Sequence, residues 1–408
     1  MSERYVIVGA GQAGRRAAEE LRALRHDLEI VLVGEEPELP YDRPVLSKQA
    51  LVDSGALTAA FINPPDFYRE QHIQLRTGQR VESIDRQHRR LLLAGAEPLA
   101  YDKLLLATGS RARRLDVPGA SLPGVFHLRT VADARALKAA LRHGVRATVI
   151  GGGFIGLEVA ATLRQHFDAA VTVLESGSRL LARAMPRQVS QTMQERHAAE
   201  GVALHFNARI QAIEKTPAGT LSVQTSAGAY QGDIVIVGIG AEPNTELAKA
   251  AGLTVNNGIV VNACGETDDP VIFAAGDVTS HYHPWLKRYT RTESWQVAEH
   301  QAPLVARRMC GADTAYELVP WLWSDQYDLN LQMLGDVDAV ASWVLRGGTQ
   351  ERTWAAIGLD GASRPVALVA SNAGRDMTLY RRLVQAGRAV EAHHLQDPAT
   401  SLRALCAT

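Results

Sequence analysis

An α/β fold of two parallel-sheet domains, one inserted in the other, with a small α+β domain behind them, is what the 408 residues predict. Three observations carry that expectation. A strand, a glycine-rich turn, a helix and a second strand follow one another twice, beginning at Tyr5 and at Thr148. Each unit leads into a short alternating meander and then another apolar strand, which reads as an internal repeat. All six tryptophans, Trp285, Trp295, Trp321, Trp323, Trp343 and Trp354, fall after residue 280, which sets the tail apart.

The elements follow in order. Tyr5–Val8 is a β-branched run; Ala17, Ala18, Leu21 and Leu24 keep helical spacing over 15–24; Glu29–Val33 is the return strand. Val81–Asp85 and Arg89–Leu93 predict a hairpin, and Leu104–Ala107 an apolar strand ending at Thr108-Gly109. The second copy places strands at Thr148–Ile150 and Ala170–Leu174 around a helix through Leu163, then Ile210–Glu214, Thr220–Gln224 and Ile234–Val237, ending at Gly238-Ile-Gly240. Val271–Ala275 lacks a glycine turn of its own and is expected to complete the first sheet. The first domain is then 1–112 plus 245–315, the second 113–244, and the tail 316–408, with strands near 332–334, 340–345 and 366–369 and a helix over 376–386 stopped by Gly387.

Composition narrows the function. Hydrophobic residues at 46% give each domain a core, and 43 basic against 44 acidic residues leave a net charge of −1, which argues against a general nucleic-acid binder. No uninterrupted apolar run approaches the roughly 18 residues of a membrane span. Met1-Ser-Glu-Arg runs straight into the first strand, so no membrane attachment and a cytoplasmic setting are expected, with a monomer or homodimer. Three dispersed cysteines, Cys264, Cys310 and Cys406, offer neither a disulfide scaffold nor a thiolate metal site; no metal is expected. His281 and His283 read as a surface loop.

In Gly9-x-Gly11-x-x-Gly14 the first glycine allows the turn, the second lets backbone approach a pyrophosphate, and the third lets helix pack on strand. The phosphates would lie at the helix N-terminus. Glu35 follows Gly14 at the spacing of about 20 residues where a ribose-hydroxyl acceptor belongs. The second copy, Gly151-Gly-Gly153-Phe-Ile-Gly156, has Glu175 at the same spacing, directly after its second strand. A carboxylate there accepts from a 2′-hydroxyl and repels a 2′-phosphate, favouring NAD over NADP, with Arg179 and Arg183 as the contrary signal. Two such Rossmann-like sites suggest one permanent redox group and one exchangeable nicotinamide.

Further strings carry a resemblance. Tyr41-Asp-Arg-Pro-Val-Leu-Ser-Lys48, Ala107-Thr-Gly109, His127-Leu-Arg129-Thr, Ala275-Gly-Asp277-Val and Pro320-Trp-Leu-Trp323-Ser-Asp-Gln326 resemble the FAD-dependent NADH:ferredoxin reductases that serve bacterial aromatic-ring dioxygenases and cytochromes P450, within the glutathione-reductase structural superfamily. The resemblance spans nearly the whole chain; Val45 departs from it, standing where a second proline is usual. It implies FAD contacts from Gly9, Gly11, Ala13, Gly14, Glu35, Arg43, Lys48, Val81, Thr108, Arg129, Asp277 and Trp295, with Trp323 beside the flavin from the tail. For NAD it implies Gly151, Gly153, Phe154, Ile155, Gly156, Glu158, Glu175, Arg183, Gly238 and Gly240. Lys48 and Glu158 are expected to tune the flavin electrostatically, though Glu158 also reads as an ordinary acid in a helix's first turn.

The activity so implied is an oxidoreductase of the 1.18.1 class, moving electrons from NADH through FAD to an iron–sulfur ferredoxin that feeds an oxygenase in aromatic hydrocarbon catabolism. A rubredoxin reductase or an NADH-sensing flavoprotein like apoptosis-inducing factor are the alternatives. No cysteine lies in the 41–48 loop and none are paired, which argues against thiol chemistry at the flavin. No single basic cluster stands out as the docking site for the acceptor.

Overall fold

The computed structural model describes residues 2–53 and 55–407. The chain divides into two compact units: Met1–Arg43, Thr58–Arg111 and Ala241–Pro320 form one, and Pro44–Leu57, Ala112–Gly240 and Trp321–Thr408 form the other. Residues 321–408 and the short 44–57 segment group with the second unit.

The first unit is built on a five-stranded parallel sheet in the order Ile272–Ala274, Lys103–Leu106, Arg4–Val8, Glu29–Val33, Ile73–Arg76. Its inner strands are apolar on both faces because both are covered. Tyr5, Ile7, Ile30, Leu32 and Leu105 face one core, shared with Ala17, Ala18 and Leu21 of helix Gln12–Leu24 and with Ala302, Val305 and Met309 of helix Trp295–Met309. Val6, Val8, Val31, Val33, Leu104 and Leu106 face the other, under the meander of Val81–Asp85, Arg90–Leu93 and Ala96–Ala100. The late strand does complete this sheet, pairing in parallel with Lys103–Leu106.

The second unit repeats the plan: Ala203–His205, Ala170–Leu174, Arg146–Ile150, Ile234–Val237 and Val125–His127, all parallel, with a meander of Ile210–Lys215, Leu221–Thr225 and Gly228–Gly232. Its fifth strand precedes the glycine turn in the chain, whereas that of the first sheet arrives only after the whole second parallel sheet has been laid down. The tail is a five-stranded antiparallel sheet in the order Trp321–Gln326, Leu329–Gly335, Pro365–Ser371, Trp354–Leu359, Ser342–Arg346. Helix Met377–Ala386 buries Tyr380, Leu383 and Val384 and stops at Gly387, whose φ of +59° suits a glycine.

One sequence expectation fails here. His281 and His283 are no surface loop; they lie in strand Thr279–His283, each 1% exposed. Both rings pack edge-on against buried Tyr316, at 5.8 and 5.7 Å, and His283 Nε2 lies 3.0 Å from the Leu318 carbonyl oxygen.

Candidate functional site

In the first unit Gly9 has φ +114°, and a Cβ there would stand 2.1 Å from the Ala107 carbonyl oxygen. At Gly14 it would stand 1.9 Å from the oxygen of Gly9. Both glycines are demanded by the fold itself. Gly11 is not: its φ of −90° and ψ of −164° are open to any residue, and a Cβ would meet nothing within 4 Å. It heads helix Gln12–Leu24, whose N-terminus carries no side-chain cap. The room beside Gly11 and the first-turn N–H groups fit a dinucleotide pyrophosphate.

Around that turn stand Ala13, the Thr108 strand end and Gly276-Asp277; a Cβ on Gly276 would come 3.0 Å from the Ala13 methyl. Thr108 and Asn244 exchange two hydrogen bonds, Oγ1 to carbonyl and Nδ2 to carbonyl, each 2.8 Å. Asp277 Oδ2 accepts from Ser110 Oγ at 2.9 Å. Arg43 donates to Glu36 at 2.6 Å and to the Tyr41 hydroxyl at 2.8 Å. Burial opposes its charge, but Tyr41, Glu36 and Asp277 hold its ionisation above the ordinary value. Trp295 donates its indole N–H to Asp42 at 2.9 Å. The Glu35 side chain is 72% exposed, with Arg80 Nε at 3.8 Å. Val81 packs its side chain into the core, so any ligand contact there falls to its main chain. Glu36, partner of Arg43, is one residue that sequence reasoning missed; its neighbour Glu35 drew attention through the motif spacing and the resemblance.

The second unit repeats the glycine geometry. Gly151 has φ +110° and a Cβ there would lie 2.3 Å from the Gly238 oxygen; at Gly156 it would lie 2.2 Å from the Gly151 oxygen. Gly153, at φ −88° and ψ −176°, again faces open space and heads an uncapped helix, Phe154–Phe167. Glu175 accepts from the N–H of Gly152 at 2.8 Å and of Gly177 at 2.6 Å, one on each oxygen. Oε1 also accepts from Ser176 Oγ at 3.3 Å, which leaves Oε2 the lone pair for a ribose hydroxyl. Beside this turn Phe154 is half-buried and Ile155 is 45% exposed, a large apolar side chain left in water. Arg183 is exposed, and a guanidinium nitrogen lies 3.7 Å from where a Gly240 Cβ would be. Arg179, the contrary signal, is spent on the Met185 and Ala182 carbonyls and the Ser190 hydroxyl.

Also in the second unit, Lys48 and Glu158 meet. Nζ lies 3.1 Å from Oε2, with the Glu158 side chain 5% exposed. The same oxygen accepts from Ser47 Oγ at 2.5 Å, and Oε1 accepts from Ser324 Oγ at 2.7 Å. Asp325 stands 3.9 Å from the ammonium. The string around Lys48 and the Trp-Ser-Asp-Gln string, remote from each other in the chain, therefore converge on one helix residue. Glu158 is more than a first-turn acid. Trp323 stacks on Trp321, centroids 5.1 Å apart and planes at 23°. Arg129 precedes the capping box of Thr130 and Asp133, and its N–H donates to the Asp133 carboxylate at 3.0 Å. The three cysteines are free, and burial raises each thiol above its ordinary value, away from the thiolate form.

Residues 3–302 match the family pattern described as pyridine nucleotide-disulphide oxidoreductase, and residues 321–406 match the one described as reductase C-terminal. The chain is 48% identical to the anthranilate 1,2-dioxygenase system ferredoxin–NAD(+) reductase component of Burkholderia cepacia, covering 98% of both chains. It is 35% identical to the biphenyl dioxygenase system ferredoxin–NAD(+) reductase component of Paraburkholderia xenovorans, over 99% of this chain and 98% of that one. Among solved structures, the ferredoxin reductase for the CYP199A2 system of Rhodopseudomonas palustris superposes with a TM-score of 0.94 at 35% identity, covering 99% of this chain and 100% of that one. The reductase in the covalent putidaredoxin reductase–putidaredoxin complex gives 0.95 at 34%, covering 99% and 98%. Two glycine cradles of matching geometry, a reductase-type tail and relatives of full length agree: this chain belongs to the pyridine nucleotide-disulphide oxidoreductase family.

Proposed function

We propose that the protein is an NADH-dependent, FAD-containing ferredoxin reductase whose acceptor is a small iron–sulfur ferredoxin feeding an oxygenase. One observation supports it above the rest: each unit contains a glycine, Gly11 or Gly153, that nothing in the fold requires and that a bound pyrophosphate would. FAD, when bound, supplies acceptance of a hydride and release of electrons one at a time. The domain division read from the sequence stands with this proposal: a flavin domain of 1–112 and 245–315, a nicotinamide domain of 113–244, and the 316–408 tail.

The chain's residues then have definite tasks. Gly9, Gly11, Ala13 and Gly14 admit the FAD pyrophosphate, while Thr108, Asp277, Arg43, Val81, Trp295 and Glu35 line the remainder of the first unit's site. Lys48, Arg129 and Trp323 keep the flavin assignment that the resemblance gave them. Gly151, Gly153, Phe154, Ile155 and Gly156 admit NADH, Glu175 receives its ribose, and Arg183, Gly238 and Gly240 flank it. Lys48 and Glu158 act electrostatically and by holding position, since transfer between stacked rings needs alignment rather than a nucleophile. A cytoplasmic setting and a monomer or homodimer accompany the proposal.

The test is direct. Purified protein is expected to be yellow, to release FAD on denaturation, to bleach with NADH faster than with NADPH, and to reduce cytochrome c rapidly only with a ferredoxin added. A colourless protein that stays so after incubation with FAD ends the proposal; rapid turnover with rubredoxin alone reassigns the acceptor.

A further inference from the structure

A line of side-chain hydrogen bonds runs inward to Glu158 from a helix far along the sequence. Tyr327 OH lies 3.0 Å from His197 Nδ1, and His197 Nε2 lies 2.9 Å from Gln326 Oε1. Gln326 Nε2 is 3.0 Å from Ser324 Oγ, which is 2.7 Å from Glu158 Oε1. His197, Gln326, Ser324 and Glu158 are 0, 1, 0 and 4% exposed, so no water competes for these bonds.

The direction of the line follows from its end. A carboxylate only accepts, so Ser324 donates its hydroxyl proton to Glu158 and must itself accept from the Gln326 amide nitrogen. That leaves the Gln326 oxygen to accept from an Nε2–H of His197, and the bare Nδ1 to accept from Tyr327. Burial lowers the His197 pKa to about 4, with Arg196 adding to the effect against the Gln326 bond, so the ring is neutral, as the arrangement requires. Every proton points toward Glu158.

A second observation singles out the far end. Tyr327 begins the two-residue turn joining Gln326 to its ladder partner Leu329, and it holds φ +58°, a region that bulky L residues disfavour. Its ring meets His197 edge-on at 5.0 Å and lies under the Arg196 guanidinium at 5.1 Å. Strain of this kind persists where surrounding contacts over-determine it. Lys48 and Asp325 are the charges at the Glu158 end; Arg196, Glu200 and Arg164 surround the Tyr327 end.

We infer that His197 and Gln326 are positioning residues for Glu158: their one-way donor chain pins the Ser324 hydroxyl to Oε1 and so reserves Oε2 for Ser47 and Lys48. The chain itself stands on geometry; only its catalytic consequence rests on the proposed function. It ties helix Arg187–Ala199 and the tail strand to the loop that carries Lys48, all within the second unit.

Imidazole 15N shifts of the full-length protein, with His197 assigned by its absence in His197→Gln, test the chain. The wild type is expected to show neutral His197 protonated at Nε2. In Glu158→Gln the terminal group can donate, the chain can reverse, and His197 is expected to move toward the Nδ1–H form; adding Gln326→Leu, or Gln326→Met where leucine does not fold, is expected to abolish that response. A His197 signal unchanged by Glu158→Gln overturns the inference. In the holoenzyme, Gln326→Leu is expected to slow flavin reduction at saturating NADH by roughly tenfold with the NADH KM unchanged; an unaltered rate overturns the positioning role. Protein that holds no flavin would defeat the proposed function, yet its nitrogen shifts would still decide the chain.

Discussion

Lys48 Nζ lies 3.1 Å from Glu158 Oε2, and the two side chains are only 16% and 5% exposed. A pair so far out of water is stabilising only while it is complete, because either charge left alone keeps the full cost of desolvation. Lys48→Met is therefore expected to cost about 3 kcal/mol of stability, and the double variant Lys48→Met/Glu158→Gln to recover part of it. Urea unfolding of the three proteins checks this; an additive double variant would mean that the pair is not coupled.

The two kinds of glycine separate folding from binding. Gly14→Ala would drive a methyl to 1.9 Å from the Gly9 oxygen, and is expected to prevent normal folding. Gly11→Ala places its methyl in open space in a permitted conformation, so its thermal unfolding without cofactor is expected to stay within a few degrees of the wild type while FAD retention falls at least tenfold. Flavin content after gel filtration, beside a melting curve, measures both.

Glu175 holds Gly152 and Gly177 with separate oxygens, leaving carboxylate charge where a 2′-phosphate would come. Glu175→Arg is expected to raise the NADPH-to-NADH ratio of kcat/KM by about tenfold or more, with NADH itself weakened because the loop loses both bonds. Stopped-flow flavin reduction with each cofactor gives the ratio, and an unchanged ratio would move the ribose site elsewhere.

Stability is expected to fall on mild acidification. Burial lowers His281 and His197 each to about 4, His283 adding to the effect at the first. Unfolded, each titrates near 6.5, so between pH 6.5 and 4 the unfolded chain binds more protons than the folded one. Their contribution is complete above that window and is lost through it, about 2 kcal/mol per histidine by pH 5. Melting temperatures from pH 7.5 to 5 should drop steeply for the wild type and less so for His281→Asn.

How much is legible in the sequence depends on range along the chain. The glycine turns, their strands and the late strand Ile272–Ala274 declare themselves through local periodicity and turn chemistry. Val125–His127 does not, being three residues long, nor does Ala96–Ala100, an edge strand interrupted by Pro98. Lys48 and Glu158 are named only by resemblance, and no spacing rule foretells a contact between a loop and a helix so distant in the chain. His197 carries no signal at all, and Gln326 only that of closing a resemblance string: a histidine in a helix and a glutamine in a strand, 129 positions apart, acquire a shared role only when packing closes the bond between them. The inward turn of His281 and His283 likewise depends on the Tyr316 ring and the Leu318 carbonyl, remote in sequence and not announced locally.

The source of each sheet's fifth strand bears on how the polypeptide is made. As it leaves the ribosome, every strand of the second parallel sheet has been supplied once Val237 has emerged, whereas the first still lacks Ile272–Ala274 and shows the bare rim of Lys103–Leu106. The inserted module can therefore mature before its host. A nascent chain arrested between these two points would expose an unzipped apolar border, the stage at which helper proteins or aggregation would compete for it.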